Sequence, residues 1–536
     1  MTGRRQRVPC REPAVKSEST SVKVVRNTLF NYLAVGSAVL VNLVALPVII
    51  HGLGNARYGI YVTTMSVIGY VALLDLGIGT SLTKFVAEYE AKKDYRRLNE
   101  VFSTAFVLYI GLGTVGAAIL VALCDTLIQR VFEIPPELWS EARYVVWISA
   151  LSLLSGLTLG IYGNILNGIQ RHDIWRTISI ATSFVSALGG IILIRMGYRL
   201  IAYVLFTTIA GIAGFLVQMF YAKRLVPDLD LLPRFFRVRE LKDILGFTSA
   251  IFINQLAARN MGSLDKVIVG IFLPIQNVTL YSIAVTMVMY CFKLPAAAAM
   301  AFTPAASELH AKNRIDAIHR LVLRGIKYTG ILALPIFTLV GIMAGDIVRL
   351  WMGEGYGASA DILRRLMIGY FPLVLCASGM TVMVGIGKPY VNTLYALVQI
   401  VLCSTLTVLM IHWYGLLGAA LGSGLALCAG GIVYLFHSSR IFGIAPSRLL
   451  DPLILKKGAL ALVPTALLFA VHSSMPSHTV RTLLAEATLY CLVFVVVVTR
   501  YVIDEYDIAK ISEVVAPFRY VSLLRPRPEA MNRKRR

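Results

Sequence analysis

Five ionisable residues stand where the sequence is otherwise apolar enough for hydrocarbon: Asp75 in "ALLDLGIG", Arg259, Asp265 and Lys266 in "ARNMGSLDKVIVG", and Lys293 in "YCFKLPAAAAM". A charge near the bilayer centre costs roughly 2.5–3.5 kcal/mol on insertion scales, so these side chains are expected to face an interior, wet space. Arg259 and Lys266 are seven positions apart and share one face of a helix, whereas Asp265 points about 100° away from Lys266. A cationic helix face takes anions, and a guanidinium fork matches phosphate or pyrophosphate. Asp75 and Asp265 can neutralise these cations or carry a coupling proton or cation. The bland alternative is a buried ion pair, Asp75 with Arg259 or Lys293, that only fixes helix packing.

The elements that must position these residues are membrane spans. The chain has 536 residues, 57% hydrophobic and 15% charged, and a mean hydropathy of +0.72, more apolar surface than a soluble core hides. About fourteen apolar runs have the length of roughly 20 residues that a helix needs to cross the hydrocarbon. An all-α polytopic membrane protein is expected. The first 26 residues are polar and basic, and the first apolar run, Asn27 to Ile50, is too long for a signal-peptide core. Counted inward from the outer span ends, Arg259, Lys293 and Asp75 lie roughly 21–27 Å deep and Asp265 and Lys266 roughly 12 Å.

The net charge of +22 does not point to nucleic acid, because of where the cations lie. They gather in the N-terminal arm, the loops Lys92 to Arg97, Lys223 to Lys242 and Lys312 to Lys327, and the tail "NRKRR". That is a positive-inside pattern, so both termini are expected in the cytoplasm, with the basic segments against anionic lipid headgroups.

Enzyme and cofactor signals are weak. The glycines of "GLGTVG" (Gly111, Gly113, Gly116) have dinucleotide-loop spacing but lie inside a spanning run, without the strand that the motif requires. Gly418 and Gly422 form a G-x-x-x-G pair, read as helix packing. Seven cysteines include no C-x-x-C pair, and the histidines show no metal-ligand spacing, so no metal, cofactor or disulfide framework is expected. No nucleophile has a base beside it, and the outer loops are short, which argues against catalysis.

A shift that lays Tyr61 on Tyr281 also lays Tyr70 on Tyr290, Thr83 on Thr303 and Glu88 on Glu308 in one unbroken register. Two parallel six-helix repeats are expected, followed by an extra helix pair. The resulting division is a basic arm (1–26), an N-terminal six-helix bundle (27–224), a cytoplasmic linker (225–245), a C-terminal bundle (246–445), the extra pair (446–505) and a basic tail (506–536). Glu88 and Glu308 each precede a lysine by four residues, ordinary helix support.

"RNTLFNYLAVG", "GLGNARYGIYV" and "LLDLGIGTSLTKFVAEY" resemble the first two spans of the polysaccharide biosynthesis flippases (Wzx-type) of the multidrug/oligosaccharidyl-lipid/polysaccharide superfamily, and "LDKVIVGIFLPIQNVTLYSIA" resembles the start of their second half. The resemblance implies movement of polyprenyl-pyrophosphate-linked oligosaccharide across the cytoplasmic membrane by alternating access, coupled to H+ or Na+. It also implies a cavity in or beside which Asp75, Arg259, Asp265, Lys266 and Lys293 lie, and a polysaccharide polymerase as a possible partner. The long basic arm and tail depart from the family pattern. A cation-coupled exporter of small drugs or metabolites on the same fold is the alternative; amphipathic cations would call for carboxylates where the seventh span offers two cations. A membrane-embedded glycosyltransferase or polymer ligase is a third reading, which the short outer loops oppose.

Overall fold

The computed structural model describes residues 36, 39–227, 229, 237, 263–445, 462–475 and 479–503. Arg259, the basic arm, most of the linker and the basic tail lie outside the described residues. Among the described residues ten helices are long and apolar enough to cross a membrane, and two shorter apolar helices, Val39–Leu53 and Val463–Ser474, accompany them. The all-helical, multi-pass architecture expected from the run lengths is what the chain adopts. Its contacts divide it into two compact units, Met1–Arg259 and Asn260–Arg536.

The first unit runs α1 (Val39–Leu53), α2 (Asn55–Val71), α3 (Ile78–Lys92), α4 (Tyr95–Ala122), α5 (Trp139–Leu159), α6 (Ile161–Gly168), α7 (His172–Arg195) and α8 (Leu200–Leu225). Its core gathers Ile78, Leu82, Phe102, Tyr162, Ile165 and Leu166 from α3, α4 and α6. Helix α7 instead turns Val185, Leu188 and Ile192 outward, as a helix bathed in lipid does. Gly113 and Gly116 lie mid-helix in α4, where an added Cβ would come within 2.9 Å of Leu154 and of Val71. Those glycines serve close helix packing.

The second unit runs α9 (Leu264–Phe272), α10 (Ile275–Ala299), α11 (Phe302–Ala311), α12 (Ile315–Ile342), α13 (Ala344–Met352), α14 (Gly357–Gly385), α15 (Tyr390–Phe442), α16 (Leu462–Ser474) and α17 (Val480–Val497). Helix α15 is too long to be one span. It breaks at Gly415, whose φ of 56° and ψ of −134° suit glycine, and folds back on itself. Gly418 and Gly422 then press the second arm onto the first, since a Cβ there would meet Met410 O at 1.9 Å and Leu406 O at 2.4 Å. The G-x-x-x-G pair is a packing device, as expected. Ion pairs Glu88 with Lys92 at 2.6 Å and Glu308 with Lys312 at 2.5 Å supply the expected i,i+4 support in the two units.

Candidate functional site

Each unit places one of the predicted acids against a tyrosine, by different means. In the first unit the span carrying Asp75 is broken. Helix α2 ends at Val71, a tight turn covers Ala72–Asp75, Leu76 and Gly77 adopt φ of 51° and 87°, and α3 then begins. Such a break inside hydrocarbon is tolerated where protein or water meets the freed backbone. Asp75 Oδ1 accepts from the Gly79 backbone N–H at 3.3 Å, at the positive end of α3, and from the Tyr109 hydroxyl of α4. Helix α5 gives way to α6 at Gly160, which lines the same space as Asp75. That space is a cavity of about 360 Å³ lined by Asp75, Tyr109, Ser152, Asn164, Gly156 and Gly160 among others. Gly79 makes room for this arrangement: a Cβ there would fall 3.0 Å from the Asn164 amide.

In the second unit Asp265 sits in the first turn of α9 and is 3% exposed. The Tyr281 hydroxyl of α10 lies 3.2 Å from Oδ2, and the Cys403 thiol donates to Oδ1 at 3.1 Å. Ser423, 3.2 Å from the Tyr281 hydroxyl, and Thr407, 2.9 Å from Ser423, complete a shell of neutral donors. That shell exists because α15 folds back at Gly415, which brings Ser423 of the second arm beside Cys403 and Thr407 of the first.

Lys266 follows Asp265 and points elsewhere. Among the described residues it has no hydrogen bond or ion pair, although the charges of Asp265 and Lys293 both reach it. Lys293 is exposed on α10, two residues before Pro295. The second unit therefore brings Asp265, Lys266 and Lys293 into one neighbourhood, while Asp75 has its own partners in the first. Arg259 lies outside the described residues.

Sequence reasoning did not single out Tyr109, Ser152, Asn164, Cys403, Thr407 or Ser423, and used Tyr281 only as a repeat marker. The one signal available for Ser423 was its position next to Gly422. Within the described residues no group of His, Cys, Asp and Glu side chains is arranged to hold a metal ion.

Residues 53–361, more than half the chain, match the family described as polysaccharide biosynthesis protein. The chain belongs to this family. A member-like relative, the putative O-antigen transporter of Shigella flexneri, is 22% identical over 404 residues, which is 75% of this chain and 94% of the relative. Among solved structures, the inward closed form of the lipid II flippase MurJ aligns with a TM-score of 0.71 at 14% identity, covering 91% of this chain and 99% of that one. An inward-facing multidrug resistance MATE family transporter of the MOP superfamily aligns with a TM-score of 0.63 at 17% identity, over 76% of this chain and 94% of the other. The fold is thus that of the MOP superfamily. This polysaccharide biosynthesis protein is a multi-pass membrane protein, and the proteins it resembles are named as transporters and flippases.

Proposed function

We propose that the protein moves polyprenyl-pyrophosphate-linked oligosaccharide repeat units across the cytoplasmic membrane by alternating access, for surface polysaccharide synthesis. The carrying observation is Lys266, a cation within a membrane helix that no described carboxylate pairs, with Lys293 close enough to add its charge. Cations left in that condition are suited to a multiply charged anion that arrives with its own neutralisation, and pyrophosphate offers the match. Arg259, seven positions before Lys266 in the sequence, belongs to the same group in this proposal. Asp265 and Asp75 are the groups assigned to H+ or Na+ coupling. A sealed carboxyl changes charge only as the donors around it rearrange, which ties it to a conformational step, and a carboxylate on an interrupted helix borders space for an ion.

The same proposal divides the chain into the two six-helix bundles (27–224 and 246–445), the linker between them and the appended pair, with both termini cytoplasmic and a polysaccharide polymerase as partner. Its test is deletion of the gene followed by isolation of lipid-linked glycans. Complete repeat units should accumulate on the cytoplasmic leaflet and be cleared by the wild-type gene but not by the Arg259→Gln, Lys266→Gln double variant. Normal surface polysaccharide in a strain with no second copy of the gene would sink the proposal.

A second reading, a cation-coupled exporter of small amphipathic cations, has one observation in its favour. The cavity of the first unit presents the carboxylate of Asp75 and no described cation. Protection of the host strain from cationic dyes, lost in Asp75→Asn and retained in Lys266→Gln, would favour it over the flippase.

A further inference from the structure

The pair α16 and α17 stands outside the repeat, and a polar cluster ties it to the second bundle. His472, near the end of α16, places Nδ1 2.8 Å from Glu486 Oε2 on α17 and Nε2 3.2 Å from Asp346 Oδ2 on α13. Glu486 is 3% exposed, a burial that a carboxyl group accepts only with strong partners. One turn along α17 the Tyr490 hydroxyl is hydrogen-bonded to Thr338 Oγ1 of α12. Asp346 from α13 and Glu486 from α17 meet the imidazole, Tyr490 bonds to Thr338 of α12 and Thr465 of α16, and the Arg364 guanidinium of α14 lies beside Gly345, next to Asp346. The nearest arginine on α13, Arg349, is turned to Glu354 at 2.6 Å.

Geometry alone fixes a proton count here. A neutral imidazole donates from one ring nitrogen and accepts at the other, and an ionised carboxylate only accepts. Both nitrogens of His472 lie at hydrogen-bonding distance from carboxyl oxygens. Two acceptors would face each other unless the ring carries both protons or one carboxyl keeps its own. Each placement holds one proton more than a neutral histidine between two carboxylates. A metal ion cannot take its place, because the carboxyls stand on opposite sides of the ring and do not converge.

We propose that His472, Glu486 and Asp346 form a proton-binding latch that docks the loop end of the α16–α17 pair onto α13. This is independent of what the transporter carries and of the roles given to Asp75 and Asp265. The link from His472 to Asp346 crosses from the pair to the bundle, so it is the one that opens when the shared proton leaves and a lone pair faces a carboxylate. Away from the latch, Phe494 near the end of α17 and Val498 and Val502 just beyond it belong to an apolar cluster that includes Ile331 and Leu334 of α12, and in this proposal the pair hinges there. On the topology proposed above, with both termini cytoplasmic, the loop end lies outside and the latch reads external acidity.

The test uses the full-length protein in lipid nanodiscs with 15N-labelled histidine. The His472 signal is the one lost in His472→Gln, and a protonated carboxyl is read as an infrared band lost in Glu486→Gln or Asp346→Asn. Near neutral pH the wild type should show either an imidazolium at His472 or such a band. At the pH where that signal is lost, amide exchange of residues 462–475, corrected for its intrinsic pH dependence, should rise about tenfold. In His472→Gln that step should vanish; if this variant does not insert, Asp346→Asn serves the same comparison. A neutral ring with both carboxyls ionised overturns the proton site. A proton that is present but whose loss leaves exchange unchanged overturns the latch, as does a pH step that survives in the variant.

Discussion

The two units solve the same problem, a carboxylate inside a membrane bundle, in opposite ways. Asp75 lies on an interrupted helix beside a cavity of about 360 Å³, with a tyrosine and one backbone N–H as partners. Asp265 lies in the first turn of α9, 3% exposed, with tyrosine, cysteine and serine side chains closed around it. The first acid has its surroundings opened by glycines; the second has them assembled by a helix that doubles back. An acid beside a cavity exchanges partners with water, whereas a sealed acid changes charge only with the protein's own rearrangement. In the proposed transport cycle the two acids therefore take different steps.

The largest expected effect breaks the sealed site at its foundation. Gly422→Leu puts a side chain into Leu406 O, 2.4 Å from the Cβ position, and pushes Ser423 away from Thr407. A loss of more than about 3 kcal/mol is expected from such overpacking, read as a collapse of the thermal unfolding temperature of the purified protein. Next come the tyrosines. Tyr281→Phe takes a donor from a site that water does not reach and should cost about 1–3 kcal/mol. Tyr109→Phe should cost less than about 1 kcal/mol, because water in the adjoining cavity can replace the hydroxyl. Equal losses in the two variants would erase the contrast.

Chemical access sharpens the contrast without a stability readout. In a background lacking the other cysteines, Ser152→Cys should react with a small water-soluble thiol reagent at least about tenfold faster than Cys403, since the first lines the cavity and the second is buried against Asp265. The smallest effect lies at the surface of the first unit. The Lys92 ammonium, 2.6 Å from Glu88, holds that carboxyl below its usual range. The pair's contribution is therefore present at neutral pH and lost as pH falls through that lowered range. Lys92→Ala should leave the unfolding temperature unchanged at neutral pH within error, as expected of an exposed pair.

What was legible in the sequence were features written along the chain. Run length gave spans, and the charges of Asp75, Asp265, Lys266 and Lys293 stood out because hydrocarbon makes each of them costly. Gly418 and Gly422 announced a close helix contact that Gly415 makes possible. The partners were not legible. Tyr109 lies 34 positions from Asp75, and Cys403 lies 138 from Asp265, so no local period links them. Neutral hydroxyls and thiols are also unremarkable in a spanning helix, where they more often bond to their own backbone. The alternative in which Asp75 pairs with Arg259 or Lys293 did not anticipate Tyr109 and the Gly79 N–H, which bond its Oδ1 inside its own unit.

Lys266, together with Arg259 and Lys293, is proposed to serve a lipid-linked pyrophosphate. The most direct measurement reconstitutes the protein in vesicles holding a polyprenyl-pyrophosphate oligosaccharide and follows its arrival in the outer leaflet with an impermeant lectin. The wild type should move the glycan lipid well above protein-free vesicles, and Lys266→Gln should lower that rate at least about tenfold while inserting normally. A rate equal to protein-free vesicles for the wild type, or an undiminished rate for Lys266→Gln, would contradict the account.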